Sequence, residues 1–536
     1  MAINSRTRGW IVFVAVMTLV VPFMVQSGAN SAPEPQADPS RTSGEPQSAE
    51  AEEGGPYAER KTLDPIEANG PIFVDWPKPD VALVFSGEQD DYLEPCGCAG
   101  LENQKGGLRR RFTLLKQLRD QDWPLVAMDL GGQGKRNGVQ AEIKFDFALR
   151  ALAKMNYDAV GLGAHDLRMD LLSVVINLDQ NANPLVSANV GIVALDSGFT
   201  KPYKVVEAGG MTIGITSVLG KKELAGLKNA SDLEMIDPVV ALQRVLPKLR
   251  AEKCDHLVLL SYADQNESKE LARRFPEFNC VVSAHGAEIP PSESTSIEGT
   301  GARLIEVGHK GMYVTVVGLY KNGSPAFRYQ RVPLDARFAD AQEIHQMHID
   351  YQHRLETLGL EGLGLKPTRH PSGREFAGSR ACADCHLSAT EVYESTPHFH
   401  ATETLVKLDP PRHFDPECLS CHATGWEPQK YFPFTSGYLG LKETPDLVGN
   451  GCENCHGPAA RHVAAENGEI DVTEEELEAI RASLQLRIVE NEGNNDGQVY
   501  KEGSVVDMCM QCHDLDNSPD FDFQEYWPHV AHEGKD

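Results

Sequence analysis

The sequence predicts a chain of two unlike halves, an α/β domain followed by a mainly α and irregular module. Two observations carry this. From Asp80 to about Val332, short runs rich in Val, Ile and Leu alternate with amphipathic stretches, as in a sheet of buried strands joined by helices. Beyond them lie Cys382-Ala-Asp-Cys385-His386, Cys418-Leu-Ser-Cys421-His422, Cys452-Glu-Asn-Cys455-His456 and Cys509-Met-Gln-Cys512-His513, one pentapeptide repeated in loops full of Gly, Pro and charge.

The chain of 536 residues has room for two or three domains. Its formal net charge of −28 argues against binding nucleic acid, whose phosphates call for a basic face, and leaves other functions open. Arg6 and Arg8 precede an apolar run from Trp10 to Val25, with small residues at Ser27-Gly28-Ala29. That order is a secretory signal, and the run falls short of the ~20 residues that a comfortable membrane span requires. Residues 1–29 are therefore expected to be a signal peptide, with a retained anchor as the alternative. The protein is expected in a periplasm-like space, at a membrane only if the anchor stays. Residues 30–75 are rich in Pro, Ser, Glu, Ala and Gly and are expected to be a disordered linker, because they cannot bury enough surface to offset chain entropy.

Residues 76–335 form the expected α/β domain. Its strands are placed at Val81–Phe85, Leu125–Leu130, Ala159–Leu162, Leu185–Ala188, Thr212–Thr216, His256–Leu260 and Cys280–Ser283. Helices are expected at Gly107–Arg119, Phe145–Met155, Val239–Arg250 and Glu267–Phe275. Arg303–Val307 and Met312–Tyr320 read as neighbouring strands joined at His309-Lys310-Gly311. Cys96 and Cys98 flank one glycine, too close for an unstrained disulfide to each other, and are a candidate thiol site: they could ligate a metal, bond a substrate thiol or pair elsewhere. Cys254 and Cys280 are either buried free thiols or a disulfide between neighbouring strands. Residues 336–365 read as a connector helix, with Ile344, Met347, Tyr351 and Leu355 at helical spacing; it carries His345, His348 and His353, of which His345 and His348, three apart, could face one haem or metal but on a polar connector are expected in solvent.

Residues 366–536 carry the pentapeptides. Two thiols three positions apart can each form a thioether with a haem vinyl group, and the histidine that follows becomes the proximal iron ligand. Structural zinc held by paired cysteines is the alternative, but it does not require a histidine after every second cysteine. Four c-type haems are therefore expected on Cys382, Cys385, Cys418, Cys421, Cys452, Cys455, Cys509 and Cys512, with His386, His422, His456 and His513 proximal.

Several pieces of the first half, in order, resemble the metallophosphoesterase domain of periplasmic 5′-nucleotidases and UDP-sugar hydrolases. They include Tyr92-Leu93-Glu94-Pro95, Gly106-Gly107-Leu108, Gly163-Ala164-His165-Asp166, Ser187-Ala188-Asn189-Val190 and Ala284-His285-Gly286. The resemblance implies an α/β sandwich and a two-metal site. This sequence, however, has Glu88-x-Asp90 for the first ligand motif, Gly132 for the bridging Asp, Ala164 for the ligand Asn, and Tyr262 and Ala287 for two histidines. Only His165, His285 and the Glu88/Asp90 carboxylates remain, so no dinuclear metal is expected and the domain is read as a docking or ligand-binding scaffold.

The second half resembles the tetrahaem cytochromes c associated with nitrification. The matching pieces are Ser395-Thr-Pro-His398-Phe-His400-Ala401, Cys418 to Gly425, Cys452 to Pro458 with His462, and Phe521 through Trp527 to His532. The resemblance implies distal ligands His398, His413, His462 and His532, with His370, His400 and His529 in reserve. The leading expectation is an exported multihaem electron carrier with an unknown redox partner protein. Alternatives are a haem-dependent oxidoreductase acting on a small substrate and an active phosphoesterase with a redox accessory.

Overall fold

The computed structural model describes residues 63–95, 104–176, 183–227, 230, 232–323, 325–486, 504–518, 521–532 and 534. The expectations for residues 1–29, for most of the linker and for Cys96 and Cys98 lie outside the described residues. Val81–Ser86, buried along its whole length, is the middle strand of a five-stranded sheet. The order across that sheet is Phe327–Pro333, Tyr313–Leu319, Val81–Ser86, Leu125–Asp129 and Ala159–Val160. Pairings toward Ala159 are parallel and those toward Phe327 antiparallel.

A six-stranded sheet runs Thr295–Ser296, Arg303–Glu306, Cys280–Ser283, His256–Tyr262, Met211–Leu219 and Lys204–Ala208, parallel inside and antiparallel at both edges. The strand His256–Tyr262 shows how the layers form. Val258 and Leu260 join the core shared with the first sheet, while Leu257 and Leu259 point into a second core under Pro238–Ala251 and Gln265–Arg274. Those two helices start where the sequence supplies caps: the Asp237 and Asp264 carboxylates accept the first free backbone N–H groups. The result is a helix–sheet–sheet–helix sandwich.

Three expectations are corrected. Arg303–Glu306 and Tyr313–Leu319 are not neighbours but belong to different sheets, because Gly308 and Gly311, at φ +74° and +60°, turn the chain from one to the other. Leu185–Ala188 makes only single bridges, to Val160 and Lys201, and the pairing passes instead to Val190–Ile192 with Leu233–Met235. The connector helix, Gln342–Gly362, lies against Leu108–Asp120 and Val139–Lys154, so His348 is 4% exposed rather than solvated. Cys254 and Cys280 are free thiols, Cys280 buried with its sulfur 3.4 Å from His256 Nε2.

The pentapeptide module is a set of short helices around one small apolar cluster that includes Leu405, Leu419, Trp426, Tyr438 and Leu447. Each pentapeptide lies in or at the end of a helical turn: His386 N–H bonds Cys382 C=O and His513 N–H bonds Cys509 C=O, both at 2.9 Å. A helical turn sets residues i, i+3 and i+4 on one face, which puts both sulfurs and the imidazole on the same side. Among the described residues no helix is long and apolar enough to cross a membrane.

Candidate functional site

The histidines of the module come together in pairs. His386 faces His462 with ring centroids 6.4 Å apart, His513 faces His398 at 6.0 Å, and His456 faces His532 at 5.8 Å. Two imidazoles bonded to opposite sides of one metal at about 2 Å have ring centroids about 6 Å apart. The ring atoms not facing the gap are fastened. Nδ1 of His422 meets Ala401 C=O at 2.8 Å, Nδ1 of His456 meets Leu484 C=O at 2.8 Å, and Nδ1 of His532 meets Val530 C=O at 2.9 Å. Nδ1 of His513 lies 3.0 Å from Ser518 Oγ. A ring that donates from Nδ1 keeps Nε2 as the basic nitrogen, the usual outer support of a metal-ligating histidine. Burial pushes the His398 imidazole down to about 4, and it lowers His422, His456, His462 and His513 as well, so the neutral, ligating form is held.

The space beside one such pair fits a large flat group. A cavity of about 540 Å³ is lined by His513, His398, Cys509, Cys512, Phe521 and Trp527. The donor set, two thiols with a following imidazole at each site and a second imidazole facing it at the first, third and fourth, suits covalent haem. His413 is placed differently from the other three candidates. Its ring packs edge-on to Phe414 at 5.0 Å and its Nδ1 is buried without a hydrogen-bond partner. The neighbouring Arg412 and Asp415 are drawn into contacts outside the module, which fixes the backbone on both sides of it. Of the reserves, His400 bonds Glu403 and His370 bonds Ser372.

The second constellation lies at the ends of the sandwich strands. Glu88 accepts the His285 backbone N–H at 3.0 Å, and the His285 ring reaches from Glu88 (3.4 Å) to Glu223 (3.2 Å). Hydrogen bonds to Glu223 and Glu88 push that imidazole up to about 10. His309, which the sequence reading passed over as part of a turn, places Nδ1 3.1 Å from Asp90, which raises it too. The His285 and His309 rings thus engage the Glu88 and Asp90 carboxylates, which favours their protonated forms. The centre of the cleft is filled. A Cβ on Gly132 would lie 2.9 Å from Tyr262 Oη, and one on Gly163 2.8 Å from Tyr262 Cζ. The Asp166 carboxylate, pushed up to about 7 by burial, takes the backbone N–H groups of Gly132, Gly134 and Gly163 instead. His165 is half-buried, which lowers it.

Comparison with known proteins follows the same division. Residues 381–457 match the family model for cytochrome c554 and c-prime. Cytochrome c-554 of Nitrosomonas europaea is 33% identical over 96 residues, covering 16% of this chain and 38% of that protein. Snake venom 5′-nucleotidase of Crotalus adamanteus is 28% identical over 242 residues, covering 42% of this chain and 40% of that protein. The solved 5′-nucleotidase precursor from Thermus thermophilus superposes with a TM-score of 0.45 at 18% identity, over 61% of this chain and 66% of that one. The chain joins a 5′-nucleotidase-like part to a cytochrome c554-like part. It spans about 40% of the length of the curated relatives it matches.

The two parts meet across buried charge that the sequence did not reveal. In the 5′-nucleotidase-like part, Lys144 and Arg136 pair with Glu417, at 2.6 and 2.8 Å, directly before Cys418 of the c554-like part. Glu94 takes Arg412 at 2.6 Å, Arg109 at 2.7 Å and His348 at 3.2 Å. Burial alone would raise the Glu94 and Glu417 carboxyls, but the cations around each outweigh it and hold them below the usual range. Asp415 accepts from Gln140 and Gln352, and Tyr92 donates to Asp516 at 2.6 Å.

Proposed function

We propose that the chain is an exported electron carrier with four covalently bound c-type haems and a 5′-nucleotidase-like part that does not hydrolyse phosphate esters. The single observation that carries the first half is the set of imidazole pairs spaced 5.8–6.4 Å beside paired thiols. Bound haem would supply a one-electron couple at each site. The chain's own residues do the rest. The cysteines would fix the group covalently, His386 with His462, His456 with His532 and His513 with His398 would hold its metal, and the Nδ1 hydrogen bonds of His456, His513 and His532 fix those rings. Cysteines of different pentapeptides lie near one another, Cys382 by Cys452, Cys455 by Cys509 and Cys512 by Cys421, which supports four neighbouring sites.

The second half rests on the filled cleft. A bridging carboxylate at position 132 would collide with Tyr262, and the charges left there are satisfied by His285 and His309. Mass spectrometry of the denatured chain from a maturation-competent host tests the haem count, and fewer than four haem masses overturns it. Cell fractionation tests export. Assay with nucleotides and an activated aryl phosphate, with manganese or zinc added, tests the rest; robust turnover abolished by His285→Ala overturns it.

A further inference from the structure

On the basis of the four-haem reading, we propose that the loop 88–95 links the cleft mechanically to the redox sites, with Asp91, Tyr92 and Glu94 as positioning residues for the second and fourth haem-attachment segments. One end of the loop belongs to the cleft. Glu88 holds His285 and Asp90 holds His309. The other end is fastened to the c554-like part directly at Tyr92 and Glu94, and from Asp91 through Arg136 and Lys144. The Asp91 carboxylate, 4% exposed, accepts the Lys135 and Arg136 backbone N–H groups at 2.8 Å, and its carbonyl accepts from Lys144. Lys144 and Arg136 are the two cations on Glu417, one residue before Cys418. Tyr92 donates to Asp516, three residues past His513, and Glu94 holds Arg412.

Between these ends Glu88, Asp90 and Asp91 have φ of +45°, +54° and +69°, left-handed positions that persist where surrounding contacts over-determine them. So short a segment, anchored at each end, has no slack to absorb a displacement. A change in the cleft must therefore shift Asp91, Tyr92 and Glu94, and with them the polar surroundings of the second and fourth sites. Those surroundings are what set a haem's reduction potential. By linkage, reduction of those sites would act back on the cleft.

The test uses full-length protein and its His309→Gln, Glu94→Gln and doubly substituted forms, after denatured mass has confirmed four haems in each. Potentials are then resolved site by site in a spectroelectrochemical titration. His309→Gln is expected to change the oxidised-to-reduced ratio of the second and fourth sites at fixed potential by about fivefold or more. The first and third should stay where they are. The double form should shift by less than the product of the single changes. Unmoved potentials, an equal shift at all four sites, or multiplicative single effects would overturn the link while leaving the relay standing; fewer than four haems would overturn both. Hydrogen exchange supplies a measurement without any substitution: amides 87–94 of the unsubstituted protein should exchange differently in the oxidised and reduced states, and identical exchange counts against the link.

Discussion

His532 is held at the end of a series of aromatic contacts. Here Phe521 stacks on His513 at 4.4 Å, Tyr526 meets Phe521, Trp527 stacks on Phe523, and His532 reaches His456. His532→Ala is therefore expected to leave the His456 iron five-coordinate, seen as a high-spin absorbance band and as reactivity toward carbon monoxide. A purely low-spin, unreactive variant would show that another group holds that position. In the cleft, His285 gives a pH-dependent expectation. Its folded-state pKa, about 10, lies above the ordinary value of 6.5, so its contribution to stability is complete below about 6.5 and is lost as pH rises through 10. The gap in Tm between the unsubstituted protein and His285→Gln should be widest at pH 6 and close toward pH 10. A gap that grows with pH would mean that His285 is neutral in the fold.

At the scale of elements, what the sequence could and could not disclose has a physical pattern. Val81–Ser86, His256–Tyr262 and Cys280–Ser283 are buried almost throughout, so their runs of Val, Ile and Leu stood out. The edge strands Lys204–Ala208 and Phe327–Pro333 mix charge with apolar residues because one side meets solvent, and they gave no such signal. Pentapeptides announce attachment sites by fixed spacing, but which histidine faces which is decided only by the tertiary fold, so the facing of His462 with His386 and of His532 with His456 could not be read from the sequence. The ion pairs of the seam were invisible for the same reason: Lys144 and Glu417 are 273 positions apart. Lys144 is 9% exposed and Glu417 23%, so Glu417→Ala strands a cation and should cost on the order of 3 kcal/mol. Replacing both, as Lys144→Met with Glu417→Leu, should cost less, because the buried ammonium is no longer stranded and only Arg136, 36% exposed and able to reach water, loses its partner. Chemical denaturation of the three forms compares them, and equal losses would mean that the pair is not coupled.

Over the whole molecule, the seam decides whether two parts of separate resemblance behave as one body. Interfaces between domains in a chain are commonly polar and permit relative motion. This one differs in kind, since Glu94, Lys144, Asp415 and Arg412 are largely buried and have their principal partners across it or in the connector helix. Separation of the parts would expose some of these groups, yet leave others in apolar surroundings without counter-charge, a cost of several kcal/mol for each stranded ion. The c554-like part has little apolar core of its own to remain folded on. The haem-loaded protein is therefore expected to unfold in one transition, with loss of low-spin haem absorbance and of far-ultraviolet circular dichroism coinciding. Glu94→Ala combined with Glu417→Ala should split that transition, the haem signal melting below the bulk of the secondary structure. Two separated transitions already in the unsubstituted protein would show that the seam does not join the parts energetically, and that each of them folds alone.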